Sequence, residues 1–545
     1  MLKTVKKPDY EAIVIGAGVT GMYQTYLLDQ AGFSVLGIEA AADVGGTWYW
    51  NRYPGCRLDT ESYAYGYFAL KGIIPEWEWS ETFAGQPEML RYANYAAEKM
   101  DVRRLYRFNT KLIAASYCDD DTLWQISLDN GETLTCRFLI SATGPLSASR
   151  MPDYKGIENF KGDAFHSSRW PTDEKGEAKE IDFAHKRVGV IGTGATGVQI
   201  IPIVAKSAQD LFVFQRTPNW CTPLGNSPLS HEDMDLLRSR YPTILEYVKS
   251  TDTSFPYHRD SRKGTDVSPS EREAFFESLY DQPGYGIWLS GFRDLLLSRE
   301  SNQFLADFVA RKIRQRVKDP EIAEKLIPTD HPFGTKRVPM ETNYYEAYNQ
   351  DNVHLVDIRE APITEFTPEG IKTADNFYPL DVVIFATGFD AVTGSLDRID
   401  IRGKEGVRLK DVWADGPTTY LGLQARGFPN FFTLVGPHNG STFCNVGVCG
   451  GLQAEWVLRM ISYMKARGLT FSEPTEAAEH QWTEEVYADF ARTLLAEANA
   501  WWVRTVEKPD GTTVRRTLVH VGGGPEYRKR CEQVAYRDYE GFELA

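Results

Sequence analysis

Two clusters of glycine, at Gly16, Gly18 and Gly21 and again at Gly192, Gly194 and Gly197, carry the first chemistry legible in this chain of 545 residues. In "YEAIVIGAGVTGMYQTYLLDQAGFSVLGIEA" the order is apolar strand, glycine turn, helix, strand. The G-x-G-x-x-G spacing lets backbone approach a pyrophosphate and sets the phosphates on a helix N-terminus. Glu39 ends the following apolar run, where a carboxylate accepts hydrogen bonds from a ribose diol. The device returns in "KRVGVIGTGATGVQIIPIVAKSAQDLFVFQRTPNW". From 16 to 39 and from 192 to 215 are 23 positions each, so Gln215 stands in the slot of the acid, with Arg216 and Thr217 after it. A carboxylate there repels a 2'-phosphate, whereas an amide, a guanidinium and a hydroxyl bind one. The first loop is therefore assigned to FAD and the second to NADPH. The alternative for Arg216 is a surface arginine at a strand end.

The elements that must position these loops follow from the pattern of the rest. The fold class expected is α/β, with two Rossmann-like dinucleotide-binding domains, one for FAD and one for NADPH, and a helical insertion. Its segments are 1–145 and 386–545 for FAD, 146–223 and 331–385 for NADPH, and 224–330 for the insertion. "CRFLISATGPLS" and "LDVVIFATGFDA" are buried-type strands ending in Ala-Thr-Gly, where the chain passes a cofactor or crosses between domains. "SEREAFFESLYDQ" and "SNQFLADFVARKIRQRVKDPEIAEKLI" have helical apolar spacing. They shape a substrate entrance or merely cover the sheet. "NFFTLVGPHNGSTF" is a strand and a turn facing the flavin, and "VRTVEKPDGTTVRRTLVHV" a hairpin turning at Asp510-Gly511.

Composition narrows the partners. With 60 basic against 75 acidic residues the net charge is -15, which argues against nucleic acid or an anionic membrane as the main partner. Seven scattered cysteines argue against a disulfide framework or a zinc site, so no metal is expected and a reducing cytoplasm fits. No signal-peptide core or membrane-length apolar run is read.

"FKGDAFHSSRWP" lies between the two loops, at residues 160–171. It resembles the F-x-G-x-x-x-H-x-x-x-W-P fingerprint of the type I Baeyer–Villiger monooxygenases, with Phe160, Gly162, His166, Trp170 and Pro171 in place. "GGTWYWNRYPGCRLDTESYAY", "KRVPMETNYY", "ATGFDA" and "LVGPHNGS" are similar to that family's other blocks, in its order, so the resemblance covers the whole chain. It implies a flavoenzyme in which NADPH reduces FAD, oxygen adds to the flavin, and the peroxide anion converts a ketone to an ester or lactone.

On this resemblance Arg337 is the active-site arginine, a permanent positive charge for the anionic oxidant, and Asp59 the acid that pairs with it. Without it, Arg337 reads as a surface arginine and Asp59 as a helix cap. The cofactor set is Gly16, Gly18, Gly21, Glu39, Thr47, Trp48, Arg57, Asp59 and Tyr65 in the first part, and Gly192, Thr193, Gly194, Gly197, Gln199, Arg216, Thr217 and Lys336 in the second. Lys336 is a candidate for the 2'-phosphate. Trp501 matches a substrate-pocket tryptophan, with Trp502 as its rival. His166 is read as lacking a carboxylate or serine partner for a proton relay. With Trp170 it is expected to couple the domains mechanically rather than act as a base.

The partners implied are a small-molecule ketone and molecular oxygen. Within the family, several segments look closest to the branch acting on a cyclopentenone acetyl-CoA ester of camphor degradation, and that branch suggests a homodimer. "VRRTLVH" and "EYRKRC" are basic clusters suited to a CoA ester, or ordinary solvated surface. The competing readings are an N- or S-oxidising flavin monooxygenase, a Baeyer–Villiger enzyme for free cyclic or aryl ketones, a disulfide reductase, and a nucleotide-loaded redox sensor. Cys444 and Cys449 are the nearest cysteines for the reductase and lack its motif.

Overall fold

The computed structural model describes residues 7–66, 76–174, 176–439, 444–508 and 510–545. Residues 440–443, within the expected flavin-facing turn, lie outside the described residues.

Each glycine loop leaves a strand that has a parallel neighbour on both sides, in a mixed sheet for the first loop and an all-parallel one for the second. Tyr10–Ile15 pairs in parallel with Val35–Ile38 on one side and Thr133–Ser141 on the other. Its inner residues Ala12, Ile13 and Val14 are fully buried, as continuous apolar runs in a covered parallel sheet must be. That sheet is also built from distant chain, because Asp400–Arg402 adds to Leu112–Cys118 and Phe431–Thr433 adds to Thr133–Ser141. The helix Val446–Arg467 packs on the loop's own helix Val19–Gln30.

A second, five-stranded sheet has the order Val353–Asp357, Asp210–Gln215, Arg187–Ile191, Val382–Phe385, Asp163–His166, all parallel. The fingerprint segment thus supplies an edge strand. Between the two parts of this sheet run helices His231–Ser250, Pro269–Tyr280, Arg299–Arg316 and Pro320–Leu326. Ser230 and Ser268 begin the first two with reciprocal capping boxes, the local signal that starts each helix where it does.

The late hairpin forms from Val503–Glu507 and Thr513–Thr517. Cys444 and Cys449 are bonded to each other, so the cysteines are not all free; this is one local link rather than a framework. Among the described residues no cluster suited to a metal is present, and no helix is long and apolar enough to cross a membrane.

Candidate active site

The two loops have the same backbone. Gly16 has φ +108° and Gly192 φ +109°, a region that side chains disfavour, and a Cβ would lie 2.5 Å from the carbonyl oxygen of Ala142 or Ala386 respectively. Those carbonyls end the two Ala-Thr-Gly strands. The helices Val19–Gln30 and Ala195–Val204 start at Gly18 and Gly194 without any side-chain cap, which leaves first-turn N–H groups for an anion. Around Gly194, Gly144 and Gly388 an added Cβ would meet nothing within 4 Å. Open space beside uncapped helix ends fits two pyrophosphates.

Glu39 is buried and accepts hydrogen bonds from the N–H groups of Ala17 and Ala41, both 2.7 Å. Burial pushes its carboxyl up, and these donors oppose the shift. At the second loop the Gln215 side chain is fully buried. Its amide donates to the Lys325 carbonyl at 2.7 Å, so the reading that gave this amide to a 2'-phosphate is corrected. Arg216 is exposed and Thr217 half-buried, and Thr193 donates to the Thr217 carbonyl at 3.0 Å. Lys336 lies 3.4 Å from Asp330. Burial lowers its pKa, Asp330 opposes that shift, and the Arg216 charge adds a smaller lowering.

Gln199, on the helix after the second loop, donates to Asp59 at 3.1 Å and accepts from Tyr53 at 2.9 Å. The site therefore stands where that helix meets the first segment. Asp59 receives Arg337 Nη2 at 2.7 Å and Tyr285 Oη at 3.3 Å, and Arg337 also donates to Tyr285 at 3.2 Å. Three separate regions, at 59, 285 and 337, close into one hydrogen-bonded group. Burial pushes the Asp59 carboxyl up, with Arg337 pulling it back. Burial also pulls on Arg337, but Tyr285 and Asp59 outweigh it and hold the guanidinium cationic. Asp59 is sealed, whereas 37% of the Arg337 side chain remains accessible. The charge is held from behind and open in front. The helix-cap reading of Asp59 is thereby set aside.

Tyr285 was not anticipated. It lies in the insertion, in "PGYG", without periodicity or motif to mark it. Tyr53 lies within the block "GGTWYWNRYPGCRLDTESYAY" but was not among the residues singled out there.

Thr47 opens a short helix, Thr47–Trp50, in which Trp48 is buried with its ring edge-on to Tyr65 at 6.0 Å. Arg57 is turned to Glu81 at 3.1 Å. Trp501 is the more open of two tryptophans whose rings meet at 5.2 Å, Trp502 being 1% exposed. Both belong to an apolar cluster with Leu146 and Val392. Among the described residues no hydrogen bond joins Trp501 to the Asp59–Arg337 group.

His166 does have a serine partner, contrary to expectation. Nδ1 accepts from the Ser168 N–H at 3.1 Å and lies 2.9 Å from its hydroxyl, while Nε2 donates to the Gly388 carbonyl at 3.1 Å. Burial lowers its pKa, so the ring is neutral at pH 7 with both nitrogens occupied. Nearby, Trp170 is buried and donates to the Lys179 carbonyl at 3.1 Å. The Arg169 guanidinium covers the Trp50 ring at 4.3 Å, a contact from the fingerprint to the first segment.

The NAD(P)-binding Rossmann-like domain family matches residues 14–68, the first loop. The chain is 80% identical over 545 residues, all of both chains, to 2-oxo-Delta(3)-4,5,5-trimethylcyclopentenylacetyl-CoA monooxygenase of Pseudomonas putida. It is 41% identical to a Baeyer–Villiger monooxygenase of Pseudooceanicola batsensis, over 90% of this chain and 89% of that one. The chain belongs to the Baeyer–Villiger monooxygenase family. Among solved structures of this family, that of OTEMO in complex with FAD and NADP superimposes with a TM-score of 0.97 at 80% identity, covering 99% of this chain and 100% of that one.

Proposed function

We propose that the chain catalyses the NADPH- and O2-dependent Baeyer–Villiger oxidation of a cyclic ketone to a lactone, with FAD held on the first loop and NADPH on the second. The ketone is a cyclopentenone carrying an acetyl-CoA ester, as the name of the Pseudomonas putida relative has it for that protein. The enzyme works in the cytoplasm as a homodimer. Bound FAD, reduced by the nicotinamide, supplies the activated oxygen.

The protein's own residues do the rest. Uncapped helix ends at Gly18 and Gly194 take the two pyrophosphates, and Arg216 with Lys336 takes the 2'-phosphate. Asp59 and Tyr285 orient Arg337 and keep its charge fixed, so that negative charge developing at the reacting centre meets a cation needing no rearrangement. Gln199 reports the state of the second loop's helix directly to Asp59. His166, neutral and doubly hydrogen-bonded, anchors the fingerprint strand to Gly388 while Arg169 bears on Trp50. Trp501 walls the substrate pocket.

The observation that carries this reading is the Asp59–Arg337–Tyr285 group, with Arg337 accessible on its free side. The test is lactone formed per NADPH consumed by Arg337→Ala at saturating ketone. Loss of one such charge lowers turnover to lactone by about a hundredfold to a thousandfold. An unchanged lactone yield overturns the proposal. Product mass with a sulfide or amine in place of the ketone separates this chemistry from heteroatom oxygenation.

A further inference from the structure

The late hairpin places two like charges where sheets avoid them. Arg504 and Arg516 are directly opposed across the antiparallel pair Val503–Glu507 and Thr513–Thr517, on one face. Such a pairing is destabilising unless something lies between the charges. Arg516 is exposed and rests over the Tyr487 ring at 4.8 Å. Arg504 is only 24% exposed; its Nη2 is 3.9 Å from Asp397, beyond hydrogen-bond distance, and its Nη1 is buried without any partner. A buried guanidinium N–H left unpaired is costly, so the hairpin has donors waiting for an acceptor. Arg504 is the leading cation acting on Asp397 and Lys410 a lesser one, while Lys508 is 3.3 Å from Asp415, so the acids of this face are shared among several cations.

The position is as informative as the charge. Arg504 follows Trp501 by three residues, about 10 Å of extended chain. Trp502 fixes that start of the hairpin against Leu146 and Val392, beside the two Ala-Thr-Gly crossings. At the other end Thr517 accepts from His438 Nε2 at 3.1 Å, which ties the second strand to the loop after Phe431–Thr433. Donors for an anion thus stand on a fixed scaffold, one arm's length from the tryptophan assigned to the pocket.

We infer that Arg504 and Arg516 clamp the phosphates of a CoA-linked ketone, leaving the pantetheine arm to reach the pocket past Trp501. This rests on the substrate reading above. An incoming phosphate supplies the acceptor that Arg504 lacks and separates the opposed guanidinium groups.

The test uses the flavin-loaded enzyme and the ketone named for the Pseudomonas putida relative, as its CoA ester and as the free acid. In Arg504→Gln/Arg516→Gln the KM for the CoA ester rises at least about tenfold, whereas kcat, the constants for the free acid and the KM for NADPH stay within about twofold. Arg504→Lys and Arg516→Lys recover part of the loss. A double variant with the wild-type KM for the CoA ester overturns the clamp alone. A wild type indifferent to the CoA moiety overturns the substrate reading and the clamp together. A raised KM for NADPH overturns the clamp by assigning these arginines to the nucleotide. Should the double variant shed its flavin, the wild type still decides: CoA inhibits oxidation of the free acid and pantetheine at equal concentration does not, and equal inhibition by the two overturns the clamp.

Discussion

At the first loop Gly16 turns beneath the Ala142 carbonyl, and at the second Gly192 turns beneath that of Ala386, with φ values a degree apart. Both turns feed a helix that begins at an uncapped glycine. Past the next strand they diverge. Glu39 folds back to gather two backbone N–H groups of its own loop, whereas Gln215 turns outward to the Lys325 carbonyl of the insertion. The residue after the first loop is held by local contacts and its counterpart after the second is tethered to a distant helix. Equal phosphate cradles therefore need not imply equal grip. The contrast suits a flavin that stays and a nicotinamide nucleotide that must leave each cycle.

The largest effects should come from the shared turn. Gly16→Ala forces a Cβ against the Ala142 carbonyl at a positive φ, and the purified protein is expected to lose its yellow flavin absorbance. Gly192→Ala, under identical strain, is expected to keep a full complement of flavin and raise the KM for NADPH by at least about tenfold. Flavin loss from both variants would erase the assignment of the loops. Next in size is the phosphate pair. Arg216→Ala and Lys336→Ala each remove a charge-assisted contact, so the preference for NADPH over NADH should shrink by about ten- to a hundredfold, read from kcat/KM with the two nucleotides.

A smaller effect concerns the first half alone. Glu61 is buried and receives the Tyr257 hydroxyl, and burial raises its pKa from 4.5 to about 7. The folded state therefore holds this proton more tightly than the unfolded one. Its stabilisation is full below about pH 4.5 and is lost as pH rises through about 7. Melting temperature should fall by a few degrees across that window in the wild type, and Glu61→Gln should remove this part of the slope. The smallest effect lies at Gln215, where the two loops part. Gln215→Leu should cost about 1 kcal/mol of stability by orphaning the Lys325 carbonyl, with the KM for NADPH nearly unchanged. A large KM change would return Gln215 to the nucleotide.

What could be read from sequence follows from how local each feature is. Gly16 and Gly192 announce themselves through a local spacing that runs out to Gly21 and Gly197, even though the carbonyls that exclude a side chain there, of Ala142 and Ala386, lie far along the chain. The helices of the insertion carry capping boxes at Ser230 and Ser268, equally local. Arg337 and Asp59 are 278 positions apart, and no spacing rule joins them; only likeness to known enzymes did. Tyr285 had neither kind of signal. Its role exists because the insertion folds back on the junction, a tertiary event. Gln215 was misread for a related reason: the 23-residue ruler fixes where the residue stands, and the carbonyl beside it decides which way it turns.

The strand Phe431–Thr433 joins a sheet whose neighbour Thr133–Ser141 was made far earlier in the chain. During translation the nucleotide fold with Gly192 has all five of its strands once residue 385 has emerged, while in the sheet begun at Tyr10 the Leu139–Ser141 end of one strand must wait for its partner Phe431–Thr433. A ribosome stalled between these points would therefore display the Gly192 loop on a sheet with all its strands while the sheet beneath the Gly16 loop still lacked its last one.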